Sequence, residues 1–222
     1  MTGQTAVLTI AAVVLILVLV ERARRMFGPR PSLFDRPAIF FLVVFGAILA
    51  LRWPEIRFLQ GINLDEAQTF AQAMRFCAHP VPWRDVDGNT SGPFTSMLLS
   101  LALRLGAPDA WPTARVVLWA ANCLTLIFLY LALRVFGTRS EAQFVLTPVI
   151  LFYAFALDPN FTHYSNETLP VLLLSAGFFI LAREWGASGP LRARLFFLGM
   201  LVMDSPARGG VAPRNLLATL LK

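Results

Sequence analysis

The residues able to do chemistry fall in two polar stretches separated by apolar runs. Asn63-Leu64-Asp65-Glu66 reads as a helix start, with Asn63 as N-cap and Glu66 at the capping-box position. A carboxylate held beside lipid is costly unless it has partners or a role. First-turn acidic residues are also favoured in any helix, and a capping box accounts for Glu66 by itself. Further on, Asp85 and Asp87 precede Gly88, where they could line an acceptor pocket or hold a divalent metal; the same residue types are what a turn requires. His163, Tyr164 and Glu167 form the second stretch and could face the same pocket, or be an interfacial tyrosine in an exposed polar turn. Arg57, Arg75, Arg84 and Arg115 are the arginines available to a phosphate. Arg115 is the best placed, because it opens an apolar run at headgroup level, where a snorkelling flank residue would also stand. Carboxylates and arginines gathered in such stretches could supply a base and offset a developing negative charge. No transition-metal ligand spacing and no phosphate-cradling glycine loop occurs in the sequence, and no cofactor is implied.

Composition restricts what can position these groups. The chain has 222 residues, of which 57% are hydrophobic and 14% charged, and its mean hydropathy is +0.64. An average soluble domain carries about 25% charged residues, so this chain has too few to cover a globule in water. An all-α, polytopic transmembrane helix bundle is the expected fold class, since helices can be apolar all round when lipid is the solvent. The net charge of +6 does not point to nucleic acid, because the basic residues flank apolar runs and form no separate stripe. Cys77 and Cys123 lie in neither a CxxC nor a metal spacing and read as small packing residues.

The apolar runs are Thr5–Val20, Pro37–Leu51, Val116–Leu133, Gln143–Leu157 and Leu169–Ala182. Several are short, but flanking Arg and Trp side chains can extend them to spanning length. The first has its positive charge after the apolar run, at Arg22, Arg24 and Arg25, the reverse of a signal peptide. It is expected to be a retained helix. Loops 21–36, 134–141 and 183–194 are basic and should face the cytoplasm, which puts 52–113 and 158–168 outside. About five spans follow, plus an incomplete sixth at Leu195–Met203 that is too short to cross.

The outer segment 52–113 holds structure of its own. The spacing predicts a helix from residue 63, with Phe70, Met74 and Cys77 on its apolar face, breaking near His79-Pro80-Val81-Pro82. A second short helix is expected from Pro93 to Leu105. Both are expected to lie on the extracytoplasmic membrane surface. Three regions result. Residues 1–37 are an N-terminal anchor with a basic loop, and 38–203 the main membrane domain. Residues 204–222 leave the membrane pattern and read as an aberrant or truncated tail.

The order of these features resembles the polyprenyl-phosphate-dependent membrane glycosyltransferases of the C-type fold. These include the protein O-mannosyltransferases, the aminoarabinose transferases of lipid A and the rhizobial lipopolysaccharide sugar transferases. The stretches that carry the likeness are Asn63-Leu64-Asp65-Glu66-Ala67, Ser91-Gly92-Pro93-Phe94 leading to Leu105-Gly106, Ala114-Arg115-Val116-Val117, and Tyr164-Ser165-Asn166-Glu167-Thr168-Leu169. The resemblance covers roughly residues 38–200, the N-terminal part of a longer multi-span fold. It implies a multi-pass protein of the inner (plasma) membrane with its site on the extracytoplasmic face. It also implies a polyprenyl-phosphate sugar donor and a glycan, lipid or protein acceptor. Asp65 is then the base, with Glu66 beside it, and Asp87, Arg115, His163 and Glu167 are candidates for substrate contact. A non-catalytic transporter or scaffold subunit is the alternative. It would carry ionisable residues or broken helices inside its spans, where only Asn122 and Pro148 stand out.

Overall fold

The computed structural model describes residues 3–24, 33–58, 63–84, 92–156, 158 and 162–186. Asp85, Asp87, the incomplete sixth run and the 204–222 tail lie outside the described residues. The chain is all-helical where it is described. The helices are α1 (Gly3–Arg24), α2 (Pro37–Arg57), α3 (Leu64–Ala78), α4 (Phe94–Arg104), α5 (Trp111–Phe136), α6 (Arg139–Val145), α7 (Thr147–Phe155) and α8 (Thr168–Gly186). A single turn of 3-10 helix, Leu33–Asp35, precedes α2.

Four of these helices are long and apolar enough to cross a membrane: α1, α2, α5 and α8. Each is longer than its apolar run, because arginines and tryptophans at the ends continue the helical turn. Their outward faces carry large apolar side chains such as Ile10, Leu17, Leu42 and Leu174, a surface suited to lipid and unsuited to water. The run expected as the fourth of the five spans instead forms two short helices, α6 and α7, divided at Leu146. Pro148 stands at the first turn of α7. It has no N–H to offer the carbonyl a turn earlier, so the helical ladder is interrupted there.

α1 lies on α2, and Leu15, Val18 and Leu19 join Phe40, Phe41, Val44, Leu126, Tyr130 and Ile150 in the larger core. α8 runs along α5, with Phe128 and Phe179 stacked at 6.3 Å. α3 and α4 form a hairpin at one end of the bundle, where Phe70, Ala73, Leu99, Ala114, Leu118 and Tyr164 make a second core. Gly92 turns the chain into α4 with φ +70°, a left-handed conformation that glycine adopts without strain. Pro93 follows at the N-cap position. The Gly-Pro pair therefore has a backbone reason to exist.

Two buried polar clusters mark the ends of the bundle, and α2, about 31 Å long at 1.5 Å per residue, joins them. At its start, Arg22 is fully buried. Its Nη1 donates to Gln143 Oε1 at 2.9 Å and to Asp35 Oδ1 at 3.3 Å, and its guanidinium sits 5.8 Å from the Phe34 ring centroid. Sequence reading treats Arg22 as a loop charge. Packing makes it the tie between α1, the turn before α2, and α6. The other cluster, at the far end of α2, contains three of the six candidate residues: Glu66, Arg115 and His163.

Candidate functional site

α3 begins as its sequence predicts. Asn63 is the N-cap, and its Oδ1 accepts from the Asp65 N–H at 2.9 Å. It ends at His79. The inward face differs from expectation: it comprises Glu66, Thr69, Phe70, Ala73 and Phe76, while Met74 is exposed. Glu66 does not close a capping box. It sits on the same helical stripe as Phe70 and Ala73 and so is drawn into the bundle. That spacing of i, i+3, i+4, i+7 was visible in the sequence and is the signal that would have identified it.

Once buried, the Glu66 carboxylate needs partners. Arg115, on the first turns of α5 and 2% exposed, supplies a two-pronged contact. Its Nε donates to Oε1 at 3.1 Å and its Nη2 to Oε2 at 2.9 Å. The Tyr164 N–H donates to Oε1 at 3.3 Å. The remaining Arg115 nitrogen, Nη1, donates to the carbonyls of Glu55 and Phe58 at the end of α2. A single ion pair thus ties together α2, α3, α5 and the segment leading into α8. Bidentate geometry is the strong form of this interaction.

The neighbouring groups complete the frame. Tyr164 is buried, its Oη donates to the Thr95 carbonyl at 2.8 Å, and burial pushes its phenol upward from the ordinary value. Thr69 Oγ1 donates to Asn166 Oδ1 at 3.0 Å, and Thr95 Oγ1 donates to the Asn166 carbonyl at 3.4 Å. Arg52 donates to both oxygens of Glu55, at 2.9 and 3.0 Å, and to the Tyr153 carbonyl at 2.8 Å. A small cavity of about 30 Å³ lies beside this frame, lined in part by Arg52, Glu55, Arg115, Asn122, Tyr153 and Thr162. That is room for a water molecule or so. Thr69, Thr95, Glu55 and Arg52 are absent from the sequence-derived site. The Arg52–Glu55 spacing of three was the only local sign, and it reads equally as a surface helix pair.

The candidate residues therefore separate. Glu66, Arg115 and His163 come together. Asp65 is exposed at the start of α3, and its carboxylate has no hydrogen-bond or ion-pair partner among the described residues. Glu167 is exposed in the turn before α8 and makes no side-chain contact with the cluster among the described residues. Asp87 lies outside the described residues. Arg115 meets a carboxylate and two carbonyls, so its charge is already matched within the protein. Among the described residues no group of three or more His, Cys, Asp or Glu side chains could hold a metal ion. Cys77 and Cys123 are both free thiols.

His163 is 5% exposed, and its Nδ1 stands 3.5 Å from Glu66 Oε2 without a hydrogen-bond partner among the described residues. Burial lowers its pKa most; Glu66 opposes this, Arg115 adds to it, and Glu55 opposes it again. The folded chain therefore holds the ring neutral, while the unfolded chain protonates it near the ordinary 6.5. The folded state binds fewer protons, so this contribution to stability is complete above pH 6.5 and is lost as pH falls below it. Thermal melts in detergent should show the midpoint dropping between pH 7.5 and 5.5 in the natural chain. His163→Gln should flatten that slope; an unchanged slope would remove His163 as its source.

The chain matches no family model, no curated protein and no solved structure.

Proposed function

We propose that the chain is a membrane glycosyltransferase, or the N-terminal portion of one, that moves a sugar from a polyprenyl-phosphate carrier to an acceptor hydroxyl outside the cytoplasm. The observation that carries this reading is the pairing of unlike neighbours at the start of α3. Glu66 is locked inward by Arg115, and Asp65 is left exposed on the resulting rigid frame. A carboxylate used to take a proton has to be accessible to its substrate and precisely held, and adjacent positions on a helix deliver both.

In this reading the acceptor oxygen attacks the anomeric carbon as Asp65 removes its proton. The bond from that carbon to the carrier phosphate breaks, and the phosphate leaves with the electron pair. Glu66, Arg115, Tyr164 and His163 act as positioning residues that fix α3 against α5 and the lead into α8. Glu167, and Asp87 in the 85–91 stretch, remain candidates for contact with the acceptor. In this reading α6 and α7 together return the chain across the bilayer as the fourth of about five crossings, and the polar frame lies on the extracytoplasmic side of the inner membrane, opposite Arg22 and the basic connections.

The test is reconstitution into liposomes with a labelled polyprenyl-phosphate sugar and a mixture of hydroxyl acceptors, with an impermeant maleimide reporting the side on which Asp65→Cys is reached. Transfer, with residue 65 on the face away from the basic loops, is the expected result. A correctly inserted chain with residue 65 on the basic side would remove the proposed chemistry. The transporter or scaffold reading draws on one specific observation, the break between α6 and α7 at Leu146. Solute uptake without transfer in the same liposomes would favour it.

A further inference from the structure

We propose that the α1–α2 face binds an anionic phospholipid of the surrounding membrane, with one acyl chain in the groove between the two helices and its phosphate on Arg57. The groove encloses about 490 Å³ and is lined by Val7, Leu8, Gly46, Leu49 and Ala50, closing towards the end of α2 with Trp53, Pro54 and Phe58. That volume falls within the roughly 300–1,000 Å³ of small-molecule sites. Both walls are helices long and apolar enough to cross a membrane, so the mouth of the groove opens into hydrocarbon. An extended peptide segment there would bring backbone N–H and C=O groups with nothing to satisfy them. A methylene chain brings none.

The polar end of the groove selects the headgroup. Arg57 is exposed in the last turn of α2, three residues beyond Pro54 and so on the same side of the helix. It has no ion-pair partner among the described residues, whereas Arg52 is held by Glu55 and Arg115 by Glu66. Gln4, the polar lining residue on α1, can donate to an ester or phosphate oxygen. None of the lining residues comes from α3, α4 or the lead into α8. The occupant is thus a lipid of the bilayer bound apart from Asp65, and the inference does not depend on the proposed transfer reaction.

Nanodiscs holding the full chain and acyl-brominated lipid provide the measurement, because bromine quenches a tryptophan it touches. The Trp53 signal is the difference between the natural chain and Trp53→Phe. Brominated phosphatidylglycerol should quench it several-fold more than brominated phosphatidylcholine at the same mole fraction. Arg57→Gln should make the two lipids equal. A side chain at residue 46 would enter open space, since a Cβ there meets no atom within 4 Å. Gly46→Phe should therefore reduce quenching by both lipids, and Gly46→Ala should leave it nearly unchanged. Equal quenching by the two lipids in the natural chain would overturn the site, as would a preference that survives Arg57→Gln. Displacement of the brominated lipid by substoichiometric polyprenyl phosphate would overturn the phospholipid assignment.

Discussion

Glu66→Ala should cost the folded bundle about 3–5 kcal/mol, the largest loss expected of any single substitution in the chain. The variant leaves the Arg115 guanidinium buried with its main counter-charge gone. It also removes the acceptor of the Tyr164 N–H. Removing both charges should hurt less than removing one, because replacing a buried pair by apolar groups is often neutral. Here Glu66→Met with Arg115→Met should recover only part of the loss. The double variant also strips Arg115 Nη1 from the Glu55 and Phe58 carbonyls, and each orphaned acceptor costs about 1–3 kcal/mol. Unfolding in mixed micelles, followed by tryptophan fluorescence, measures both. A single variant within about 1 kcal/mol of the natural chain would mean that the pair is open to water and is not the hub described.

Asp65→Asn should reduce sugar transfer by about 10²–10⁴-fold, the usual contribution of a positioned acid or base, with insertion and melting temperature unchanged. The stability expectation follows from geometry. The helix start is held by Asn63 accepting from the backbone N–H of residue 65, a contact the substitution keeps. The exposed carboxylate has no partner among the described residues, so none is lost. This contrast with Glu66 makes the two neighbours a paired experiment: one variant should lose folding, the other only chemistry. An Asp65→Asn chain that transfers sugar at the natural rate would take the base out of the mechanism while leaving the fold untouched.

Much of the architecture was legible because lipid imposes a simple rule on the chain. Thr5–Val20, Pro37–Leu51, Val116–Leu133 and Leu169–Ala182 lie within the four long apolar helices, since a backbone inside hydrocarbon must satisfy its own hydrogen bonds. The Asn63 cap, the end of α3 at His79 and the short α4 were legible too, because capping and proline effects act within a few residues. The break in the Gln143–Leu157 run was signalled only by Pro148, whose effect depends on whether neighbouring helices tolerate the kink.

The site was less legible, and the reason is separation along the chain. Asp65 and Glu66 are adjacent acidic residues, and the sequence alone favours Asp65 as the active group and Glu66 as its weaker neighbour or cap, although only Glu66 shares a helical stripe with Phe70 and Ala73. What Glu66 meets once inward depends on α5 bringing Arg115 from 49 residues away and on Tyr164 arriving from 98 residues away. Thr69, Thr95 and Asn166 meet for the same reason, and Arg22 is buried because α6 brings Gln143 to it. Composition and local spacing determined that this is a bundle of apolar helices with its acidic helix start outside the long runs. The tertiary structure decided which partners the inward carboxylate meets, and so that it holds the bundle together, because burying a charge is tolerable only where packing delivers its partner.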